Sequence, residues 1–234
     1  WHVHVHTYDP AAAVEAARPG ARSQVVVRLV EGAAAQVAAG DDLGLVIATD
    51  APGAARFFAT GGAVVVVRCP EEPVTAEHLA RAVADTGAAQ VVVLAGSDEL
   101  AGPARVAAAD EAGTGGAVAI ELVGAPDVLS TAVAALALLG GRGDAAARAD
   151  GAQAAVARLR TADVEVWGDL AATAEALVEE APGTVQAVTV QHGSGTAYDD
   201  AVALRAWLEG TYPDLDVALV GPVEGGPAWR IGVD

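Results

Sequence analysis

The chain has no lysine, no methionine and a single cysteine, and only 4% of its residues are aromatic. Each shortage removes a class of protein. Without lysine no G-x-x-x-x-G-K-[ST] phosphate loop can exist. With Cys69 alone no internal disulfide forms, and no charged, apolar and small-residue signal segment opens the sequence, so a reducing cytoplasm is the expected location. No run of 18 residues escapes glycine or a charge, which argues against a membrane span. Basic residues are scarce as well: 13 of them, all arginine, face 31 acids, for a net charge of -18. Such a surface repels the phosphate backbone of a nucleic acid. On the plainer reading this acidity solvates the surface; on the sharper one it meets a basic protein partner. The missing methionine, together with a start at Trp1, leads us to expect the later part of a longer polypeptide.

What the chain has in quantity is small and β-branched apolar residues. Over 234 residues the hydrophobic share is 53%, ample for buried cores. Its organisation reads from the pattern. Trp1 to Thr7 alternates histidine and valine as a β-strand does. Asp9-Pro10 then starts an alanine-rich helix that Pro19-Gly20 ends. Val25 to Val30 reads as a second strand, and Glu31 to Asp42 as a linker or short exposed helix. From Gly44 the pattern becomes regular, with short strands at Leu45 to Thr49, Val64 to Val67, Val91 to Leu94 and Val118 to Leu122. Each is an apolar run suited to a sheet covered on both faces. An amphipathic helix over Ala76 to Thr86, capped by Thr75, and a helix over Pro126 to Leu139 fit right-handed crossovers.

Gly140-Gly141-Arg142-Gly143 breaks this unit, and a helix from Asp144 to about Arg160 opens another. Strands are predicted near Val164 to Trp167, Val185 to Gln191, Val217 to Val220 and Trp229 to Val233. Helices are predicted around Asp169 to Ala181 and Tyr198 to Gly210. The fold class that follows is α/β, with two small subdomains whose mostly parallel sheets are flanked by helices, preceded by a short β-α-β remnant of another domain. Residues 1–32 form that remnant, 33–43 a linker, 44–143 the first subdomain and 144–234 the second.

Three groups of residues invite a functional reading. His2, His4 and His6 share one strand face, which suits metal ligation or proton transfer as well as it suits a solvated polar face. Hydrolases with an early H-x-H pair need several later His and Asp ligands, and here only His78 and His192 remain. His192-Gly193-Ser194-Gly195-Thr196 lies between a strand and a helix. It reads either as an anion nest or as a tight βα turn whose Thr196 or Ser194 caps the helix. Cys69 has Glu71 and Glu72 nearby, which disfavours a thiolate, so it reads as structural. Two acidic pairs sit at predicted helix ends. Asp199-Asp200 complement a helix start, whereas Glu179-Glu180 oppose the dipole at a helix end and have no such local reason.

The order of these pieces resembles a known family. His4-Val5-His6-Thr7 with Asp9-Pro10 and a helix, a strand closing that module, a doubly wound domain, and a second subdomain ending Gly225-Gly226-Pro227-Ala228-Trp229-Arg230-Ile231-Gly232-Val233-Asp234 resemble the kinase subunit of the bacterial two-component fatty acid kinase. That subunit belongs to the dihydroxyacetone-kinase-like group, and the likeness covers essentially the whole chain. It implies a helical domain upstream of Trp1 that binds ATP and magnesium, and no cofactor in the present chain. It implies a middle domain that carries a catalytic cysteine upstream, so that Cys69 does not inherit the role. The same domain contributes His4 and His6 as catalytic residues and supports a homodimer. It further implies that the C-terminal subdomains are DegV-like and offer an acidic groove to a DegV-like fatty-acid-binding protein. Glu179, Glu180, Asp199 and Asp200 are the partner-binding candidates for that groove. This chain is then the docking portion of a phosphotransferase and is inactive alone. Two other readings stand beside it, a metal-dependent hydrolase built on the histidine strand and a purely structural dimerisation module. The chain also departs from the family: Arg68 to Thr75 replaces a G-G-Q-T-M-N-P-S-like stretch, and Leu94-Ala95-Gly96-Ser97 an L-P-N-like loop.

Overall fold

A computed structural model describes residues 2–30, 43–113, 118–181 and 185–234. Apart from Leu43, the expected linker over residues 33–43 lies outside them. The first sheet has the order β1-β3-β2-β4-β5, from strands β1 (Val25–Val27), β2 (Leu43–Thr49), β3 (Val64–Val67), β4 (Gln90–Ala95) and β5 (Ala119–Gly124). All its pairings are parallel except that of β1, which runs antiparallel to β3 at the edge. Alternate residues of the central strands enter two different cores. Leu45, Ile47, Val65, Val67, Val92 and Leu94 face one side, and Val46, Ala48, Val64, Val66, Val91 and Val93 the other. Continuous apolar runs are therefore required, because neither face meets water.

Helices α3 (Ala76–Thr86) and α4 (Asp98–Gly113) cover the second of these faces. Helices α2 (Ala55–Thr60), α5 (Val128–Gly140) and α6 (Ala145–Arg158) cover the first. Thr75 caps α3 as its sequence predicts. Its hydroxyl accepts from the His78 amide, while the His78 ring accepts from the Thr75 amide, both at 3.3 Å. His78 is thereby a capping residue. Helix α6, expected to open the second unit, packs on α5, β5 and β4.

The second sheet has the order β6-β9-β7-β8, from β6 (Arg160–Val164), β7 (Ala187–Gly193), β8 (Asp216–Val223) and β9 (Trp229–Val233). Only β7 and β8 pair in parallel; β9 runs antiparallel between β6 and β7. Helices α7 (Leu170–Glu180) and α8 (Tyr198–Thr211) bury Leu170, Ala174, Leu177, Ala201, Leu204 and Leu208 against one face of this sheet. The other face meets α5, whose residues touch β7 and β8 as well as β4. A helix clamped between two sheets has no wet side, and Val128 to Ala135 are accordingly all buried.

The predicted strand at residues 2–7 does not form. The segment is exposed, with Val3 at 81%, and it pairs with no strand among the described residues. Its alternation supplies two faces but no ladder partner for its backbone groups. Helix α1 (Pro10–Ala16) follows, capped by the Asp9 carboxylate, which accepts from the Ala12 amide at 2.9 Å. Arg22 then fastens this segment to the loop after β3. Its guanidinium donates to the Val14 carbonyl at 3.0 Å and to Glu71 at 2.7 and 3.3 Å.

Candidate functional site

The histidines come first. His4 and His6 project from the same side of their exposed segment, with Nε2 atoms 3.0 Å apart and rings edge to face. One ring must donate and the other accept, so the pair holds a proton between two nitrogens. His2 has no part in that contact. Among the described residues no group of three or more His, Cys, Asp or Glu is placed to hold a metal ion.

Directly after this pair, Tyr8 to Ala12 form one wall of a cleft of about 650 Å³ between the two sheets' lobes. Leu45, Phe57, Phe58, Leu136, Leu139 and Leu219 give it an apolar lining, while Arg56, Arg205 and His192 supply polar groups. Two backbones approach closely on its wall. A Cβ on Gly53 would lie 1.9 Å from the Pro222 carbonyl oxygen, so only glycine lets the turn after β2 touch β8. Gly221, at φ +141°, passes the His192 ring in a conformation that side chains rarely adopt.

His192 is only 6% exposed, and burial holds it below the usual imidazole range. Its tautomer follows from its neighbours. The Thr196 hydroxyl donates to the Gly193 carbonyl at 2.7 Å, so its oxygen accepts from His192 Nδ1 at 3.2 Å. Nε2 then carries a lone pair and makes no hydrogen bond among the described residues. Thr196, expected to cap the following helix, is used in this way instead. Ala197 occupies the cap of α8 without a side-chain bond.

At the carboxyl ends of the parallel strands, where open α/β sheets commonly place ligands, the chain is acidic. Asp50 follows β2, Asp98 and Glu99 follow β4, and Asp127 follows β5. Arg68, beyond β3, is matched by Glu99 at 2.6 Å and Asp50 at 3.9 Å. Arg230 of β9 reaches Asp127 at 3.2 Å and Asp163 at 2.5 Å, tying the second sheet to the cap of α5. That pairing holds the Asp163 carboxyl below its ordinary value. Cys69 lies beside this edge, 4% exposed, and burial is the first cause of its raised thiol, with Arg22 opposing and Glu71 adding. It is no activated nucleophile.

The two acidic pairs lie apart. Glu179 and Glu180 are exposed at the end of α7, where Arg160 donates to the Glu180 carbonyl at 2.7 Å and meets its carboxylate at 3.5 Å. Glu175 and Glu179 also act on Tyr212, just beyond α8. Asp199 and Asp200 sit in the first turn of α8, exposed. A helix of 14 residues spans about 21 Å, so the pairs lie toward opposite ends of it. Sequence reasoning also missed the roles of Arg56, Arg205 and Arg230. Nothing in their local pattern marks them, because the cleft and the bridge join segments distant in the chain.

No protein-family model matches the chain, and no curated protein matches its sequence. Solved structures match its fold. A DegV lipid-binding protein from Thermotoga maritima superposes with a TM-score of 0.53 at 12% identity, over 82% of this chain and 98% of that one. A second Thermotoga maritima protein, described as revealing fatty acid binding function, gives the same TM-score, identity and coverage. A DegV family protein from Thermus thermophilus, described for its fatty acid binding, reaches a TM-score of 0.50 at 13% identity, with 82% and 98% covered. At such identities the likeness is one of fold. The chain has a DegV-like α/β architecture of two sheets flanked by helices.

Proposed function

We propose that this chain is the DegV-like portion of an ATP-dependent phosphotransferase of the fatty acid kinase type, and that it docks a DegV-like carrier presenting the acyl substrate. The observation that supports this most is the acidic strand-end edge. A DegV-like module that held an acyl carboxylate there would need spare cations. Here Asp50, Asp98, Glu99, Asp127 and Asp163 outnumber Arg68 and Arg230, both already paired. Such an edge attracts a basic protein surface and repels a carboxylate. ATP and magnesium belong, on this reading, to a domain upstream of Trp1, and no residue of this chain is assigned to them.

His4 and His6 are the chain's contribution to chemistry. Their shared proton and exposure suit them to accept or release a proton beside a transferring phosphoryl group, or to stabilise its charge. A hydrolase is disfavoured because the two imidazoles supply too few ligands, and no third joins them among the described residues. The test is His4→Ala and His6→Ala in the full-length protein. Each should lower phosphoryl transfer by roughly 10²-fold to 10⁴-fold, with urea midpoints close to the parent because both side chains are exposed. Near-normal turnover in both variants would remove the histidines from the mechanism.

A further inference from the structure

We propose that Val166 and Trp167 form the apolar anchor of a protein-docking face, and that its occupant is an arginine or lysine, set among aliphatic side chains, on the partner protein. This rests on the docking reading and names the contact at its centre. The two residues are large apolar side chains that the fold leaves uncovered. Val166 is 59% exposed and Trp167 45%, although their pattern predicts a strand there. Strand β6 instead ends at Val164, and the chain turns over Trp167–Asp169, where the Asp169 amide donates to the Val166 carbonyl at 3.0 Å. Trp167 is not loose on that turn. Its ring lies against Trp229 with centroids 5.5 Å apart, and Trp229 is only 3% exposed, held in β9 between β6 and β7. A large ring supported from beneath and open above loses little conformational freedom when a partner covers it, which is what a binding hot spot requires.

The position and the charge choose the occupant. Strands β6 and β7 both run antiparallel to β9 and so point the same way, which puts Trp167 on the carboxyl-end side of the second sheet. Arg230 joins that side to the first sheet, pairing with Asp163 of β6 and with Asp127 at the cap of α5. The anchor is thereby linked to the acidic strand-end edge. Glu165 and Asp169 flank the apolar pair, are exposed, and have no ion pair among the described residues. The Ala228 amide donates to Glu165 at 3.5 Å and the Gly193 amide to the Ala228 carbonyl at 2.8 Å, so the turns after β7 and β8 lie alongside. No arginine occurs in residues 165–169, 193–197 or 224–228. A second copy of the chain would bring the same carboxylates against these, and an anionic lipid surface would bring phosphates; both are repelled. A basic protein surface is attracted. A guanidinium over the indole face gains a cation–π contact beside two unpaired carboxylates, and aliphatic neighbours cover Val166.

The test measures the kinetics of this chain with a purified DegV-like acyl-carrying protein from the same cell, at fixed salt. Trp167→Ala should weaken binding at least about thirtyfold, chiefly through faster dissociation. Trp167→Leu, which keeps apolar area but has no ring face, and Val166→Ser, at the more exposed of the two positions, should each lose about fivefold. Urea midpoints show whether Trp167→Ala disturbs Trp229, and the two milder variants carry the test if it does. Parent-like affinity in Trp167→Leu and Val166→Ser while the carrier still binds would overturn the anchor and leave the docking reading standing. No binding of the carrier by the parent chain would end both. Dimerisation of this chain alone, or uptake on phosphatidylglycerol vesicles, that Trp167→Ala abolishes would give the face to another occupant and overturn the proposal as well.

Discussion

At the scale of single residues, His192 shows how burial turns a side chain into a pH-dependent element of the fold. Its folded-state affinity for a proton is lowered by desolvation, so the unfolded chain protonates first as pH falls. Its contribution is complete above the ordinary histidine value near 6.5 and is lost as pH drops from there through the lower folded value. Asp163, lowered first by its hydrogen bond to Arg230, acts in the same direction but only below about pH 4. Asp234, raised by burial, acts oppositely: the fold favours its proton, and that contribution is lost as pH rises through its folded value. Between pH 7 and 5, urea midpoints should therefore fall with pH in the parent and stay flatter in His192→Gln. An equal slope in the two proteins would mean the imidazole is not buried as described.

At the scale of elements, the hydrophobic pattern was informative wherever an element's own neighbours decide its environment. The strands Val64–Val67 and Trp229–Val233 and the helix Ala76–Thr86 were legible to the residue. Val64–Val67 is an uninterrupted apolar run, Trp229, Ile231 and Val233 alternate along one apolar strand face, and Ala76–Thr86 has a capping box of its own. The strand at residues 2–7 was not, since its alternation needed a pairing partner that nothing local supplies. Strand β6 was misplaced toward Val166 and Trp167, which are apolar but 59% and 45% exposed. The strand is instead the polar run Arg160–Val164, an edge paired only to β9. The cleft was illegible for a related reason: it exists only once α5 has been enclosed by two sheets and Gly53 has met Pro222. That contact carries a test. In Gly53→Ala the new Cβ meets a backbone carbonyl oxygen at 1.9 Å. In Gly232→Ala it meets the ends of the flexible Leu129 and Leu159 side chains at 2.8–3.0 Å. Overpacking costs about 1–3 kcal/mol, and urea denaturation should show Gly53→Ala as the more destabilised of the two. The reverse order would contradict the described approach of the lobes.

At the scale of the whole molecule, a net charge of -18 with no lysine is the property that most constrains what the protein meets. Charge of one sign raises the rate at which an oppositely charged protein is encountered, and salt screens that gain within about 8–10 Å. Which acids matter is a question of position. Asp199 and Asp200 complement the start of α8, whereas Glu179 and Glu180 oppose the dipole of α7 and are exposed, and among the described residues only the Glu180–Arg160 ion pair occupies them. Reversing Glu179 and Glu180 to arginine should consequently slow association more than it alters the urea midpoint. The most direct test of the central claim is the association rate and affinity of this chain with a purified DegV-like acyl-carrying protein from the same cell, measured from low to high salt. Docking through the acidic surface predicts saturable binding whose association rate falls steeply as salt rises, and falls again both in Asp98→Arg at the strand-end edge and in the Glu179→Arg, Glu180→Arg double variant. No binding to any such protein, or binding indifferent to salt and to both reversals, would contradict it.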